Sequence, residues 1–275
     1  MKVYTVDLKE KYSFLQGGNL ECILMDYPMD RVSDGWKRPA VVVVPGGGYG
    51  MVSKREGDPI AAEFFAQGFQ AFVLTYEITP VAYPEQLLEL SAAMDYIRAN
   101  AEEMNVNADE IFVVGFSAGG HLTGNLAVEY QNVSQKAGVP LNAKPTAVGL
   151  AYPVISSLDG HVGSYDNLLA GYTEEARAEL LKTLNLNQAV TKDTPPAYIW
   201  TTANDEIVPC VNSLHYAEAL AKAGVEFELH IYPRGRHGGA TGKLEINTDY
   251  PELADIKNWI ADCSRFFRMY TVEKM

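Results

Sequence analysis

Apolar residues are concentrated in short runs that recur along the chain and predict a series of β-strands. Residues 3–8 and 20–27 form an opening pair. Residues 40–44 read AVVVV, and a run that is apolar at every position is typical of a strand buried on both faces of a parallel sheet. The pattern predicts further strands at residues 71–76, 111–114, 147–152, 197–202 and 227–232.

Between these runs, apolar positions recur at helical spacing. Asp58 followed by Pro59 is typical of a helix start, with Asp as the cap and Pro at the first helical position. Strands that alternate with helices predict an α/β fold, in which a mostly parallel central sheet is covered by helices on both faces. The predicted helices cover residues 58–68, 84–104, 120–129, 212–223 and 252–267.

One stretch departs from this alternation. Residues 156–195 are long and polar, and they contain a single predicted helix at residues 173–184. The sequence shows no internal repeat and no low-complexity tract. We therefore expect a single domain over residues 1–275, with residues 156–195 as a small insertion over the carboxyl edge of the sheet.

Composition excludes some classes of partner. Of the 275 residues, 47% are hydrophobic, which is enough for one sizeable core. A formal net charge of -13 argues against nucleic acid or an anionic membrane surface as the partner. No stretch approaches the roughly 20 apolar residues that a membrane span requires. We therefore expect neither nucleic acid nor a membrane as the partner.

Cysteine usage and the N-terminal sequence predict the compartment. Cys22, Cys210 and Cys263 are far apart and form no C-x-x-C pair, so we expect reduced thiols and neither a disulfide framework nor a metal site. Residues 1–11 contain no apolar stretch of the kind that a secretory signal requires. These features favour a cytoplasmic protein.

The pentapeptide Gly-Phe-Ser-Ala-Gly at residues 115–119 is the first candidate for chemistry. It lies between a predicted strand and a predicted helix, and a serine flanked by small residues on such a turn is the pattern of a nucleophile elbow. The glycines allow the two backbones to approach closely. We therefore predict Ser117 as a catalytic nucleophile, which requires a base to remove its proton.

A histidine in a loop after the last strand is the expected base. His237 follows the strand predicted at residues 227–232 and has a glycine after it, so we predict that it is this base. His121, four residues after Ser117, is expected to be a hydrogen-bonded residue that supports the site. The other histidines are poorer candidates, because His230 lies in a strand, His215 in a helix and His161 in the insertion.

The acid that orients this histidine is expected between the nucleophile and the base along the chain. Asp205 meets this requirement, because it follows the strand predicted at residues 197–202. It would hold the imidazole and stabilise its charged form. Glu206 is the alternative acid, whereas Asp193 precedes the strand and is discounted.

Acyl transfer also requires hydrogen-bond donors where negative charge develops on the substrate oxygen. One donor is expected to be the backbone N–H of Ala118, next to the nucleophile. The others are predicted at Gly47 and Gly48, in the glycine run that follows the strand at residues 40–44. This run lacks the spacing of a nucleotide-binding loop, and we expect no cofactor.

Aromatic and charged residues near the glycine run are candidates for contacts with substrate. Tyr49 and Tyr76 are predicted to shape the pocket, and the alternative for each is packing with a satisfied hydroxyl. Arg55 and Glu56 lie near the same loop and are weaker candidates. The alternative for this pair is an ion pair at the surface or at the entry of a helix.

Five motifs spread over nearly the whole chain carry a family resemblance: residues 45–49 (PGGGY), 53–57 (SKREG), 115–122 (GFSAGGHL), 194–197 (TPPA) and 204–209 (NDEIVP). The chain resembles the α/β-hydrolase esterases, and among them the bacterial acetyl-esterase and xylan-esterase-like hydrolases related to the hormone-sensitive-lipase group. This resemblance implies an α/β-hydrolase fold and hydrolysis of small acyl esters, including acetyl groups on sugars. In one departure, Pro45 replaces the histidine of the lipase-like His-Gly-Gly-Gly, which removes a side chain that anchors the loop.

The predicted function is that of a metal-free serine esterase that acts on small acyl esters, with acetyl as the expected acyl group. The same groups can cleave amides, as in an amidase, a formamidase or a small peptidase, and relative rates on matched esters and amides would separate these activities. The other alternative is an inactive binding module with a hydrolase fold, because a fold does not fix function. The presence of all three predicted catalytic residues disfavours it.

Overall fold

A computed structural model describes residues 1–26, 35–243, 245–247 and 256–272. Strands in these residues join in one eight-stranded sheet. They are β1 (Lys2–Asp7), β2 (Asn19–Leu24), β3 (Arg38–Val44), β4 (Gln70–Thr75), β5 (Val106–Phe116), β6 (Val148–Ala151), β7 (Ala197–Thr202) and β8 (Phe227–Tyr232).

The strand order explains where a site can form. It is β1-β2-β4-β3-β5-β6-β7-β8. The two pairs that involve β2 are antiparallel and the other neighbours are parallel, so the predicted mostly parallel sheet is confirmed. From β3 the chain first builds β4 on one side and then β5 on the other. The connections that follow β3 and β5 therefore run to opposite sides. A crevice opens at the carboxyl ends of two neighbouring strands of this kind.

Helices cover both faces of this sheet. In the described part of the chain, none of them is long and apolar enough to cross a membrane. They are α1 (Leu8–Lys11), α2 (Asp58–Ala66), α3 (Glu85–Ala99), α4 (Ala118–Glu129), α5 (Val133–Ala137), α6 (Val162–Leu168), α7 (Glu174–Leu184), α8 (Leu186–Ala189), α9 (Val211–Ala223) and α10 (Trp259–Arg268), with a 3₁₀ helix at Lys54–Glu56.

Strand β3 shows why the sheet is buried on both sides. Val42 and Val44 belong to the core beneath α3 and α4, whereas Val41 and Val43 belong to the opposite core beneath α2 and α10. Successive side chains of a strand point to opposite faces, so a strand covered on both sides is apolar at every position. The second core is rich in aromatic rings, and Phe112 of β5 stacks on Phe267 of α10 at 4.5 Å.

Several predicted boundaries differ from the structure. The helix predicted at residues 84–104 ends at Ala99, and residues 100–105 form a turn in which Asn105 adopts a left-handed conformation (φ 53°) directly before β5. Helix α2 has Gly57 and not Asp58 as its cap, so Asp58 lies within the first turn. Residue 27 of the second predicted strand and residues 252–255 of the last predicted helix lie outside the described residues.

The stretch at residues 156–195 contains more structure than predicted. It holds α6, α7 and α8, whereas the sequence predicted only the helix that corresponds to α7. Helix α6 has seven residues, and Ser164, Tyr165 and Leu168 of this helix are buried. A helix this short is marginal in isolation and depends on tertiary packing, which a local pattern does not reveal.

Candidate active site

The turn between β5 and α4 has the geometry that the pentapeptide predicts. Ser117 adopts φ 53° and ψ -118°, a strained conformation for a residue with a side chain. A Cβ atom on Gly115 would lie 2.2 Å from the carbonyl oxygen of Gly119, and one on Gly119 would lie 2.2 Å from that of Val44. The close approach of β3, β5 and α4 therefore requires glycine at both positions.

Ser117, His237 and Asp205 come together at the carboxyl edge of the sheet. The Ser117 Oγ lies 2.8 Å from His237 Nε2, and His237 Nδ1 lies 2.7 Å from Asp205 Oδ2. A carboxylate only accepts hydrogen bonds, so Nδ1 carries the imidazole proton and Nε2 accepts from the serine hydroxyl. This tautomer leaves Nε2 free to take a proton from Ser117.

Asp205 is buried and held by its own loop. Its second carboxylate oxygen, Oδ1, accepts hydrogen bonds of 2.9 Å from the backbone N–H groups of Ile207 and Val208. These bonds fix the plane of the carboxylate. The alternative acid, Glu206, is exposed to solvent on the same turn. The structure therefore brings Asp205 and not Glu206 to the histidine.

The loop after β3 presents backbone N–H groups near the elbow. Gly47 and Gly48 adopt φ values of 127° and 63°. A Cβ atom at Gly47 would lie 2.1 Å from the Met51 carbonyl oxygen, so this turn excludes any other residue. Within the described residues, no backbone carbonyl accepts from the N–H groups of Gly47, Gly48 or Ala118. Their role as donors to a substrate oxygen stays a prediction.

Tyr49 and Tyr76 are both buried, with hydroxyl groups that bind the protein. The Tyr76 hydroxyl donates to the Pro45 carbonyl oxygen at 2.8 Å, and the Tyr49 hydroxyl lies 2.8 Å from His121 Nδ1. They support the glycine loop from inside the protein, in keeping with the alternative of packed rings. Contact of either side chain with substrate stays a prediction.

His121 supports the site from beneath the elbow. Its Nε2 atom donates to the Leu184 carbonyl oxygen at 2.9 Å, and its Nδ1 atom accepts from Tyr49. Burial lowers the pKa of His121 to about 4, because the charged ring would lose its hydration. The neutral ring thus joins the elbow helix to the glycine loop and to the insertion, which agrees with its predicted supporting role.

The stretch at residues 156–195 reaches the glycine loop through α6. The Asn167 side-chain amide donates to the Gly48 carbonyl oxygen at 2.9 Å. His161, which the sequence offered only as a poor candidate for the base, lies close by, since a Cβ atom at Gly48 would meet its ring at 3.8 Å. Its Nδ1 atom lies 3.0 Å from the Ser164 hydroxyl. Sequence position gave no signal of this proximity.

Glu56, which the sequence offered only as a weak candidate for contact with substrate, has a different place in the structure, and its partner Tyr152 is a residue that sequence reasoning missed. Glu56 is buried and accepts from the Gly46 N–H at 2.9 Å and from the Tyr152 hydroxyl at 2.7 Å. Arg55 instead donates to the Gly238 carbonyl oxygen and to Asn247 Oδ1. Among the described residues, Arg55 and Glu56 thus bind different partners and do not form the ion pair that was the alternative for them. The available signal was the place of Glu56 in residues 53–57, one of the motifs that carry the family resemblance.

His215 and His230 lie in separate side-chain pairs away from Ser117. His215 pairs with Asp159 at the surface, and His230 pairs with Glu228 on β8. No group of three or more His, Cys, Asp or Glu side chains in the described ranges is arranged to hold a metal ion.

Comparison with known proteins places this geometry in a family context. The chain is similar to "Endo-1,4-beta-xylanase B" of Butyrivibrio fibrisolvens, with 36% identity over 213 residues that cover 75% of this chain and 33% of that protein. It is 32% identical to an acetylxylan esterase of Xylanibacter ruminicola over 246 residues, which cover 87% of this chain and 47% of that protein. The chain thus spans less than half the length of these curated relatives.

A solved structure matches over almost the full length. The acetyl ester-xyloside bifunctional hydrolase of Caldicellulosiruptor lactoaceticus has a TM-score of 0.81 and 31% identity, and the match covers 97% of this chain and 96% of that one. The predicted α/β-hydrolase fold is confirmed, as is the resemblance to esterases of this fold. The family model described as BD-FAE matches residues 26–220, which include the glycine loop, the elbow and Asp205, and the chain therefore belongs to the BD-FAE family.

Proposed function

We propose that this chain is a serine esterase that hydrolyses small acyl esters, above all acetyl esters, with Ser117, His237 and Asp205 as its catalytic residues. The proposal rests on one observation. A serine on a strained turn lies 2.8 Å from a histidine whose other nitrogen lies 2.7 Å from a buried carboxylate. A nucleophile, a base and an orienting acid in this arrangement are the requirements of nucleophilic acyl transfer.

The mechanism follows from these contacts. Ser117 Oγ attacks the ester carbonyl carbon while His237 Nε2 takes the hydroxyl proton, and Asp205 stabilises the imidazolium that forms. The tetrahedral oxyanion accepts hydrogen bonds from the backbone N–H groups of Ala118, Gly47 and Gly48. His237 then protonates the leaving alcohol, and the acyl group remains on Ser117. Water, deprotonated by His237, attacks this acyl-enzyme and releases the acid.

The preference for acetyl groups, including acetyl groups on sugars, is supported by two relatives. One is named an acetylxylan esterase and the other an acetyl ester-xyloside bifunctional hydrolase. We propose a small-molecule ester as the partner, with no role for nucleic acid or a membrane. The cytoplasm is the proposed compartment, because Cys22, Cys210 and Cys263 are free thiols that suit a reducing environment.

A panel of substrates tests this proposal. We expect purified protein to hydrolyse nitrophenyl acetate, with kcat/KM falling steeply from acetate to octanoate, and to release acetate from acetylated xylo-oligosaccharides. The Ser117→Ala variant, assayed in parallel, measures the background hydrolysis that is to be subtracted. Equal or better turnover of octanoate would contradict the preference for small acyl groups. Faster cleavage of matched nitroanilides or of N-formyl compounds would reassign the same residues to amide hydrolysis.

A further inference from the structure

A buried carboxylate lies between the two loops that flank the nucleophile. Glu56 is only 5% exposed, although it carries an ionisable group and lies outside the predicted triad. Burying a carboxylate without partners is costly, so its contacts define its role. Both oxygens are engaged, because Oε2 accepts from the Gly46 N–H and Oε1 accepts from the Tyr152 hydroxyl.

The first contact leads to the oxyanion side of the site. Gly46 precedes the two glycines whose N–H groups are proposed to bind the oxyanion. It is also packed against the nucleophile, since a Cβ atom on Gly46 would lie 2.9 Å from the Ser117 Cβ and 2.6 Å from the Phe116 carbonyl oxygen. Fixing the Gly46 N–H therefore fixes the start of the glycine loop against the elbow.

The second contact leads to the histidine side. The Tyr152 hydroxyl accepts from the Ala240 N–H at 3.1 Å, three residues after His237. The Tyr152 ring also meets the His237 ring edge to face, with centroids 4.9 Å apart. Burial, and then the charge of Glu56, raise the pKa of the Tyr152 hydroxyl well above its ordinary value, so this hydroxyl stays protonated and donates to Glu56.

The directions of these hydrogen bonds require a carboxylate. Backbone N–H groups only donate, so Ala240 donates to Tyr152, and Tyr152 must donate onward. Glu56 thus receives two donors and needs an acceptor on each oxygen. A glutamine offers one acceptor oxygen, so an amide that keeps the bond from Gly46 turns its N–H₂ group toward Tyr152 and leaves the Tyr152 O–H without its acceptor. The amide therefore cannot reproduce both bonds in their present directions.

We propose that Glu56, acting through Gly46 and Tyr152, is a positioning residue that holds the oxyanion loop and the His237 loop at the distance that catalysis requires. This inference rests on the proposed function. A displacement of about 1 Å between reacting groups can cost about 100-fold in rate, so loss of this link lowers turnover more than substrate binding.

Three variants test the link: Glu56→Gln, Tyr152→Phe and the double variant. We expect each single change to lower kcat about 10- to 100-fold on nitrophenyl acetate, with KM changed less than about 3-fold. Because both residues act through one path, the double variant should lose no more than about the larger single loss. Glu63→Gln is the matched control, since Glu63 also reaches the histidine side, through Lys243, but at the surface. It should keep wild-type kcat.

A second measurement separates positioning from loss of the fold. Labelling of Ser117 by a nitrophenyl phosphonate counts competent sites directly, and the labelling rate of folded Tyr152→Phe should fall by about the same factor as kcat. Folded single variants with more than half of wild-type kcat would overturn the proposal, as would losses that multiply in the double variant. If wild-type protein hydrolyses no ester or amide, the proposed function fails, whereas slower phosphonate labelling in the variants would still support the link.

Discussion

The nucleophile elbow and the loop that carries His237 lie side by side at the carboxyl edge of the sheet, but different interactions hold them. The elbow connects β5 directly to α4, and backbone contacts too close for a Cβ atom at Gly115 and Gly119 fix its shape. The loop after β8 has no regular structure around His237 and is held by side chains from elsewhere. Those side chains include Thr202, which donates to the Gly235 carbonyl oxygen, and Trp259, which donates to that of Ala240.

This difference has a consequence for mutation. Backbone geometry at the elbow leaves little freedom, since a change there strains several close-packed elements at once. The histidine loop depends on separate hydrogen bonds, each worth about 1 kcal/mol, so its position can be altered in steps while the core remains intact. Substitutions that change the shape of the elbow should therefore have large effects, whereas loss of one hydrogen bond to the backbone of the histidine loop should have a smaller effect.

The largest expected effect tests whether the elbow supplies the nucleophile at all. Ser117→Ala removes the attacking oxygen, so kcat on nitrophenyl acetate should fall at least about 10⁴-fold while the folded structure persists. Steady-state kinetics with an unchanged far-ultraviolet circular dichroism spectrum would check this result. A variant that retains a tenth of the activity would show that Ser117 is not the nucleophile.

The second largest effect tests whether Asp205 is the acid that orients His237. Asp205→Asn removes the charge that stabilises the imidazolium and disfavours the required tautomer, so kcat should fall about 10³- to 10⁴-fold. Glu206→Gln is the matched control on the same turn, and it should remain near wild type because Glu206 is exposed. The reverse ranking of the two variants would make Glu206 the acid.

A pair of glycine variants tests the claim that backbone geometry holds the oxyanion side. Gly47→Ala would place a Cβ atom 2.1 Å from the Met51 carbonyl oxygen, whereas at Gly48 the nearest atom would be 3.8 Å away. Displacing an oxyanion donor costs about 10²- to 10³-fold in kcat, which is the loss expected for Gly47→Ala. Gly48→Ala, strained only by its positive φ, should lose less than about 10-fold. Equal losses would refute the steric argument.

A pH experiment tests the support beneath the elbow. The pKa of His121 is lowered by burial to about 4, so the folded protein binds its proton less readily than the unfolded chain does. Stability from this residue is therefore present above pH 6.5, the ordinary value, and is lost as pH falls toward 4. The loss should reach about 3 kcal/mol near pH 4, at about 1.4 kcal/mol per pKa unit.

Denaturant unfolding of wild type and His121→Gln measures this loss. The variant lacks the titrating ring and should not lose this stability. The unfolding free energy of wild type minus that of the variant should therefore fall by about 3 kcal/mol from about pH 7 to about pH 4. A difference that stays constant over this range would mean that His121 does not titrate in the way its burial predicts.

The smallest effect tests whether the loss of one hydrogen bond to the histidine loop lowers kcat only slightly. Thr202→Val removes the 2.7 Å bond to Gly235, and kcat should fall about 3- to 10-fold with little change in melting temperature. Thr201→Val is the control, because the buried Thr201 hydroxyl has no hydrogen-bond partner among the described residues. A loss as large as that of Gly47→Ala would remove the distinction between the two loops.

Local sequence was sufficient for the elements that contain their own signal. The valine run of β3 indicated burial on both faces, because the strand meets two cores. Gly115, Ser117 and Gly119 indicated the strained turn, because only glycine tolerates those contacts. The chain order of Ser117, Asp205 and His237 was enough to propose their meeting, because parallel strands end at a common edge of the sheet.

Only the tertiary structure revealed the features that depend on contacts between distant parts of the chain. The contact of Glu56 with Tyr152, that of Tyr152 with Ala240 and that of α6 with Gly48 join residues that are 96, 88 and 119 positions apart. A charged residue reads as surface in a local window, and a helix of seven residues has no pattern strong enough to predict it. Their roles depend on partners that only the folded chain brings near, and a sequence does not state those distances.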